Sequence, residues 1–134
     1  MIPDLQASLL CDDVRQEKNG KFLLIGIFDG LAVTKFPSTF LKICIVNRWC
    51  CGRGEFIQST RIVGPDGQTP VMTGKNVSIK LVSDKQAATS VEVFMNLKFE
   101  QEGTYWVEIL LDGQLRMRYP LAIKRVQPPE AGAL

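Results

Sequence analysis

The chain has 134 residues, 46% hydrophobic and 22% charged, the balance of a folded domain that buries a core without disulfide or metal staples. Sixteen Lys and Arg against fourteen Asp and Glu leave a net charge of +2 with no basic run, so nothing calls for nucleic acid, an anionic membrane or an acidic substrate. Histidine is absent, which removes Ser-His, Cys-His and His-ligated zinc or iron chemistry together.

The opening MIPDLQASLLCDD has neither the basic nor the apolar region of a secretory signal. The longest apolar run, FLLIGIF (22–28), stops at Asp29, far short of the roughly 20 residues of a membrane helix. A cytoplasmic location is therefore expected, with Cys11, Cys44, Cys50 and Cys51 as reduced thiols.

Strand signals recur along the chain. In DLQASLLCDDV (4–14), Leu5, Ala7, Leu9 and Cys11 share one face. Lys18-Asn19-Gly20-Lys21 is a hairpin turn, because both central residues tolerate positive φ. KFLLIGIFDGLAV (21–33) is apolar on both faces in its first half, the pattern of a central strand covered on both sides. Phe36-Pro37-Ser38 breaks the chain.

TFLKICIVNRWCC (39–51) places Leu41, Ile43, Ile45 and Trp49 inward and Lys42, Cys44, Val46, Arg48 and Cys50 outward. Gly52-Arg53-Gly54 turns into EFIQSTRIV (55–63), and Gly64-Pro65-Asp66-Gly67 is a second turn. NVSIKLVS (76–83) sets Val77, Ile79 and Leu81 inward, and SVEVFMNLKF (90–99) does the same with Val91, Val93, Met95, Leu97 and Phe99. A hairpin about Asp112-Gly113 ends the series, Tyr105, Val107, Ile109 and Leu111 facing the core with Met117, Tyr119, Leu121 and Ile123. The tail 127–134 has no apolar period and is expected to fray. The expectation is one all-β domain over residues 1–126, an antiparallel sandwich of about seven to nine strands.

FEQEGTYWVEILLDG (99–113) resembles the tyrosine corner of immunoglobulin-like domains, where a tyrosine hydroxyl ties the E–F corner to the backbone. The resemblance makes Tyr105 the corner residue and 90–99, 104–111 and 115–126 strands E, F and G. Val107 then stands where antibody domains carry their second core cysteine, which leaves no disulfide there. LLCDDVR, GKFLLIGIF and GTYWVEILLDG together are also similar to a small family of uncharacterised bacterial proteins, a likeness that spans nearly the whole chain and brings no function with it.

Motifs for chemistry are sparse. Cys50 and Cys51 are adjacent strand residues, so their sulfurs should diverge, and no Cys-x-x-Cys spacing supports a metal. Asp12-Asp13 diverge in the same way and make a poor acid–base pair. The Gly-x-Gly of CCGRGEF lacks the third glycine, the Lys-Ser/Thr and the helix of a phosphate loop. No catalytic residue, metal or cofactor is expected.

Parity gives one functional expectation. Trp106, Arg116, Arg118 and Lys124 point outward on the last two strands, and Lys42 and Arg48 on 39–51. If these strands share a sheet, as C, F and G do in immunoglobulin-type sandwiches, five cations surround an indole on one partner-binding face. The leading reading is a non-catalytic module that contacts a protein partner or its own copy through that face. The alternative is a small-ligand or carbohydrate module whose site is made by loops 51–55, 64–75 and 83–90 at one end of the sandwich.

Overall fold

The computed structural model describes residues 1–128. Ten strands run in chain order: β1 (Asp4–Gln16), β2 (Phe22–Phe28), β3 (Gly30–Val33), β4 (Ser38–Cys50), β5 (Gly54–Val63), β6 (Pro70–Thr73), β7 (Val77–Leu81), β8 (Ala87–Phe99), β9 (Gly103–Leu111) and β10 (Gln114–Arg125). They form two open sheets and no closed barrel. One has four strands in the order β2-β1-β4-β8; the other runs β3-β10-β9-β5-β6, with β7 beside β6 along β5. All pairings are antiparallel except β3 with β10. No helix among the described residues is long and apolar enough to cross a membrane. Residues 127 and 128 lie exposed beyond β10, and the rest of the expected tail, 129–134, falls outside the described residues.

The core lies between the sheets. Trp49 and Ile45 of β4, Ile62 of β5, Phe99 of β8, Val107 and Ile109 of β9 and Leu121 and Ile123 of β10 are fully buried in it. The expected alternation holds through β7 and β9 and in β10 from Tyr119 on, whereas Met117, expected inward, lies exposed beside the irregularity between Leu115 and Met117. Ile79, Leu81, Tyr105, Val107, Ile109, Leu111, Leu121 and Ile123 all point inward, and Asp112 and Gly113 take the positive φ of a tight hairpin.

Elsewhere the alternation breaks at identifiable points. In β8 the inward residues are Ser90, Glu92 and Phe94, then Leu97 and Phe99, so Val93 and Met95 lie half exposed on the outer face. The switch sits at Asn96, whose φ of 56° reverses the pleat. Its partner β4 switches alongside: Phe40 and Ile43 both reach the core, and Leu41 is 71% exposed rather than buried. In β1 a bulge between Leu5 and Ala7 sends Leu5 and Leu10 inward, while Leu9 and Cys11 take the outer face. The expected single strand over 21–33 is two strands. The chain leaves one sheet at Phe28 and enters the other at Gly30, so β2 is an edge strand whose Ile25 and Ile27 are exposed, not a doubly covered centre. In the Asn19-Gly20 turn only Gly20 takes a positive φ.

Candidate functional site

The six cations and aromatics expected on one face occupy two. β4 pairs with β1 and β8, so Lys42 and Arg48 belong to the four-stranded sheet. Trp106 on β9 and Arg116, Arg118 and Lys124 on β10 belong to the other. The strand that lies beside β9 is β5 and not β4.

On the six-stranded sheet, Trp106 is only partly exposed. The Arg118 guanidinium carbon lies 4.6 Å from its ring centroid, and Val63 and Pro120 flank it in register. Glu108, next outward on β9, is 5% exposed. Its Oε1 accepts a hydrogen bond from Arg61 Nε at 2.5 Å, and its Oε2 lies 3.8 Å from Arg118 Nε. This surface is therefore internally paired. Arg116 is the extra residue of a bulge between Leu115 and Met117, and Lys124 lies further along β10, level with β3.

The four-stranded sheet offers a concavity. The β1–β4 register ends at Cys11↔Cys44, whereas β1 pairs with β2 as far as Gln16↔Phe22. The free half of that hairpin arches over the outer face as an arm. Val14 and Leu24, with Val91 of β8, pack on Cys11, Cys44 and Val46 as a second small apolar cluster. The bend falls where Gly26, at φ 71°, meets Asp12. Between the arm tip and the sheet lies a cleft of about 770 Å³. Ala7, Leu9, Val46, Ala87 and Thr89 form its floor with Arg48, and Asn19 to Phe22 and Leu24 its overhang.

Two cationic residues, Arg48 and Lys21, line the cleft. Arg48 is held by Nη1 donating to Thr89 Oγ1 at 2.8 Å and Nε donating to Gln6 Oε1 at 3.2 Å. Its Nη2 makes no hydrogen bond among the described residues. Lys21 lies on the arm and forms no ion pair there. Among the described residues no acidic side chain lines the space. Lys42 lies outside the cleft, and its ammonium is committed to Asp13 Oδ1 at 2.6 Å. That contact, chiefly as a hydrogen bond, holds the Asp13 carboxyl below its usual range. The sequence singled out Arg48, which lines this cleft, but neither Lys21 nor the arm. Their common signal is Gly26, the lone glycine in an otherwise apolar strand, a mark of a bend or close backbone approach.

The cysteines divide into two pairs. Cys11 and Cys44 are cross-strand neighbours under the arm, and burial pushes both thiols up, Cys11 to about 11. Cys51 stands beyond the end of β4 at φ 61°, so the strand rule does not separate it from Cys50 as expected. The two side chains meet, and a hydrogen bond with Cys50 is the first cause that raises the Cys51 thiol. Among the described residues no three His, Cys, Asp or Glu side chains cluster as a metal site.

The loops of the alternative site do not converge either. Gly54 pairs with Leu81, which brings 51–53 beside 82–86. The 64–69 turn follows Val63 at the other end of the same ten-residue strand, roughly 30 Å away. No curated protein matches the sequence. Residues 6–124 match a family of unknown function, DUF6941, and the chain belongs to that family.

Proposed function

We propose that this is a non-catalytic interaction module of immunoglobulin-like architecture that takes an extended acidic segment of a partner protein into the cleft beneath the β1–β2 arm. Three features support the architecture. β3 runs parallel to the last strand, the order β10-β9-β5 is that of G, F and C, and Tyr105 Oη donates to the Gln101 carbonyl at 2.6 Å across the corner.

The observation that carries the function is the cleft's charge. Arg48 and Lys21 both line it around a largely apolar floor, and among the described residues no carboxylate does. Its volume falls within the range of ligand sites, and its floor crosses β1, β4 and β8. Among the described residues no carboxylate or thiol lines it to serve as base or nucleophile. Of the residues picked out from sequence, this reading rests on Arg48.

The test is an NMR titration with a short peptide alternating Glu and Leu, against its Gln and Leu counterpart. The acidic peptide should perturb the amides of Ala7, Arg48 and Thr89, with an affinity that falls as salt rises. Arg48→Glu with Lys21→Glu should weaken it at least tenfold. Equal binding of the neutral peptide, or shifts confined to the Trp106 face, would overturn the proposal.

A further inference from the structure

Three non-glycine residues hold a left-handed backbone among the described residues: Asn96, Asp112 and Cys51. Asparagine and aspartate are the usual L-residues there, because their short side chains bond to the local backbone, and cysteine gains no such compensation. A backbone held in this way marks a place that the surrounding structure enforces. Gly52 lies so close to Pro3 that a Cβ would meet its Cα at 2.5 Å, and Arg53 N donates to the Met1 carbonyl at 2.9 Å. Cys50, the last residue of β4, is fixed on both sides by pairing with Asp4 and Ala87. The left-handed residue cancels the alternation that sends adjacent strand side chains to opposite faces, and the two thiols come into hydrogen-bonding contact. Cys51 is exposed and Cys50 half-buried, so an oxidant reaches this pair from solvent, whereas Cys11 and Cys44 are covered.

We infer that Cys50 and Cys51 are a reversible oxidation site, which a peroxide closes to a disulfide between neighbouring residues. One thiolate attacks a peroxide oxygen and breaks the O–O bond, giving a sulfenic acid, and the second oxygen leaves with a proton. The other sulfur then attacks the sulfenic sulfur and gives up its proton, and the S–S bond forms as the hydroxyl departs as water. With hydrogen peroxide the sum is two thiols and one peroxide to one disulfide and two waters. The thiols are oxidised, the peroxide is reduced, and no further reactant is needed. Contact between the sulfurs decides the product. The resolving thiol is already in place, so the sulfenic acid is captured before a second peroxide carries it to the sulfinic acid. The hydrogen bond that raises the Cys51 thiol slows the first attack from that sulfur without changing the product. Among the described residues no third His, Cys, Asp or Glu side chain joins the pair, which leaves two sulfurs for redox chemistry and not the donor set of a structural metal site.

Hydrogen peroxide acting on the reduced, folded full chain tests the inference. After alkylation without reductant, tryptic cleavage at Arg48 and Arg53 leaves both cysteines on one peptide, 49–53. That peptide should be lighter by two hydrogens and carry no alkyl group, and it should take up two alkyl groups once dithiothreitol is added. It should form at least tenfold faster in the folded chain than in the urea-unfolded chain, where the neighbouring thiols meet only transiently. Cys51→Ser, a change at an exposed position, should abolish the loss of hydrogens and leave a sulfenic acid on Cys50 that dimedone traps. Two alkylatable thiols after peroxide, or added oxygen in place of lost hydrogens, would overturn the inference. Equal rates in the folded and unfolded chains would overturn it as well, since the fold would then contribute nothing to the pairing. The mass and rate measurements on the unmodified chain decide the matter even if the serine variant fails to fold.

Discussion

Gly26 faces Asp12 across the β1–β2 ladder with no room for a side chain between them: a Cβ built there collides with the Asp12 carboxylate. The residue also holds a φ of 71°, which costs an L-residue about 1–2 kcal/mol. Gly26→Ala should therefore destabilise the fold by about 2 kcal/mol, with the damage centred on the arm. In the native protein Cys11 and Cys44 should resist thiol reagents, because burial both covers them and disfavours their thiolates. Once the arm loosens in the variant they should react at a measurable rate. All four cysteines should titrate after denaturation without reductant. An unchanged melting midpoint together with silent Cys11 and Cys44 would mean that Gly26 does not hold the bend.

Tyr105 Oη donates to the Gln101 carbonyl over a chain separation of four residues, and the ring packs edge-on against Phe99 at 4.8 Å. Burial raises the phenol, and the bond to Gln101 only partly offsets it. Tyr105→Phe keeps the ring contact and orphans the carbonyl. A loss of about 1–3 kcal/mol in chemical denaturation is expected. A midpoint identical to that of the unmodified chain would remove the corner as a source of stability.

These two sites also mark what was legible in the sequence. Tyr105 stands in a hairpin whose alternation is anchored by local features: Glu108 and Trp106 on the outward parity and Asp112-Gly113 in the turn. β8 gave the opposite result because the wrong face is the more hydrophobic one. Val91, Val93 and Met95 outscore Ser90, Glu92 and Phe94, yet the latter point inward, and Gln58 and Thr60 of the facing sheet compensate the polar groups. No local pattern carries that information, since the partners are about thirty residues away. The crossing at Asp29 was hidden for the same reason. An apolar run that changes sheets looks like one that stays.

Glu92 is the centre of a polar group between the sheets. Trp49 Nε1 and Ser90 Oγ donate to Gln58 Oε1, Gln58 and Thr60 donate to Glu92, and Asn47 Oδ1 is left without a donor. Desolvation raises the Glu92 carboxyl above its ordinary 4.5, and the bonds from Thr60 and Gln58 counter only part of it. A carboxyl raised on folding binds its proton more tightly in the native state. Its contribution to stability is thus complete below 4.5 and is lost as pH climbs through the raised value. Glu92→Gln removes that dependence. The melting temperature of the variant relative to the unmodified chain should increase from pH 4 to pH 7, and a difference independent of pH would show that the carboxyl is not desolvated.

The Trp106 face yields the last prediction. Glu108 is buried between Arg61 and Arg118, and Arg118 in turn covers the indole. An outward tryptophan on a strand normally needs shielding from another chain or loop, and here its own sheet neighbour supplies it. The 64–67 turn packs against Arg118 from the far side, since a Cβ at Gly67 would lie 2.9 Å from Arg118 Nη2. Arg118→Ala removes the cation–π contact, worth about 0.5–1 kcal/mol at a partly exposed site, while Arg61 still neutralises Glu108. The loss of stability should stay near 1 kcal/mol, and acrylamide quenching of Trp106 should rise, with fully buried Trp49 as the internal reference. Glu108→Ala should cost more, because it leaves two arginines facing each other without their carboxylate. If quenching is unchanged in Arg118→Ala, the guanidinium does not cover the ring in solution, and Trp106 is an open contact point for a partner after all.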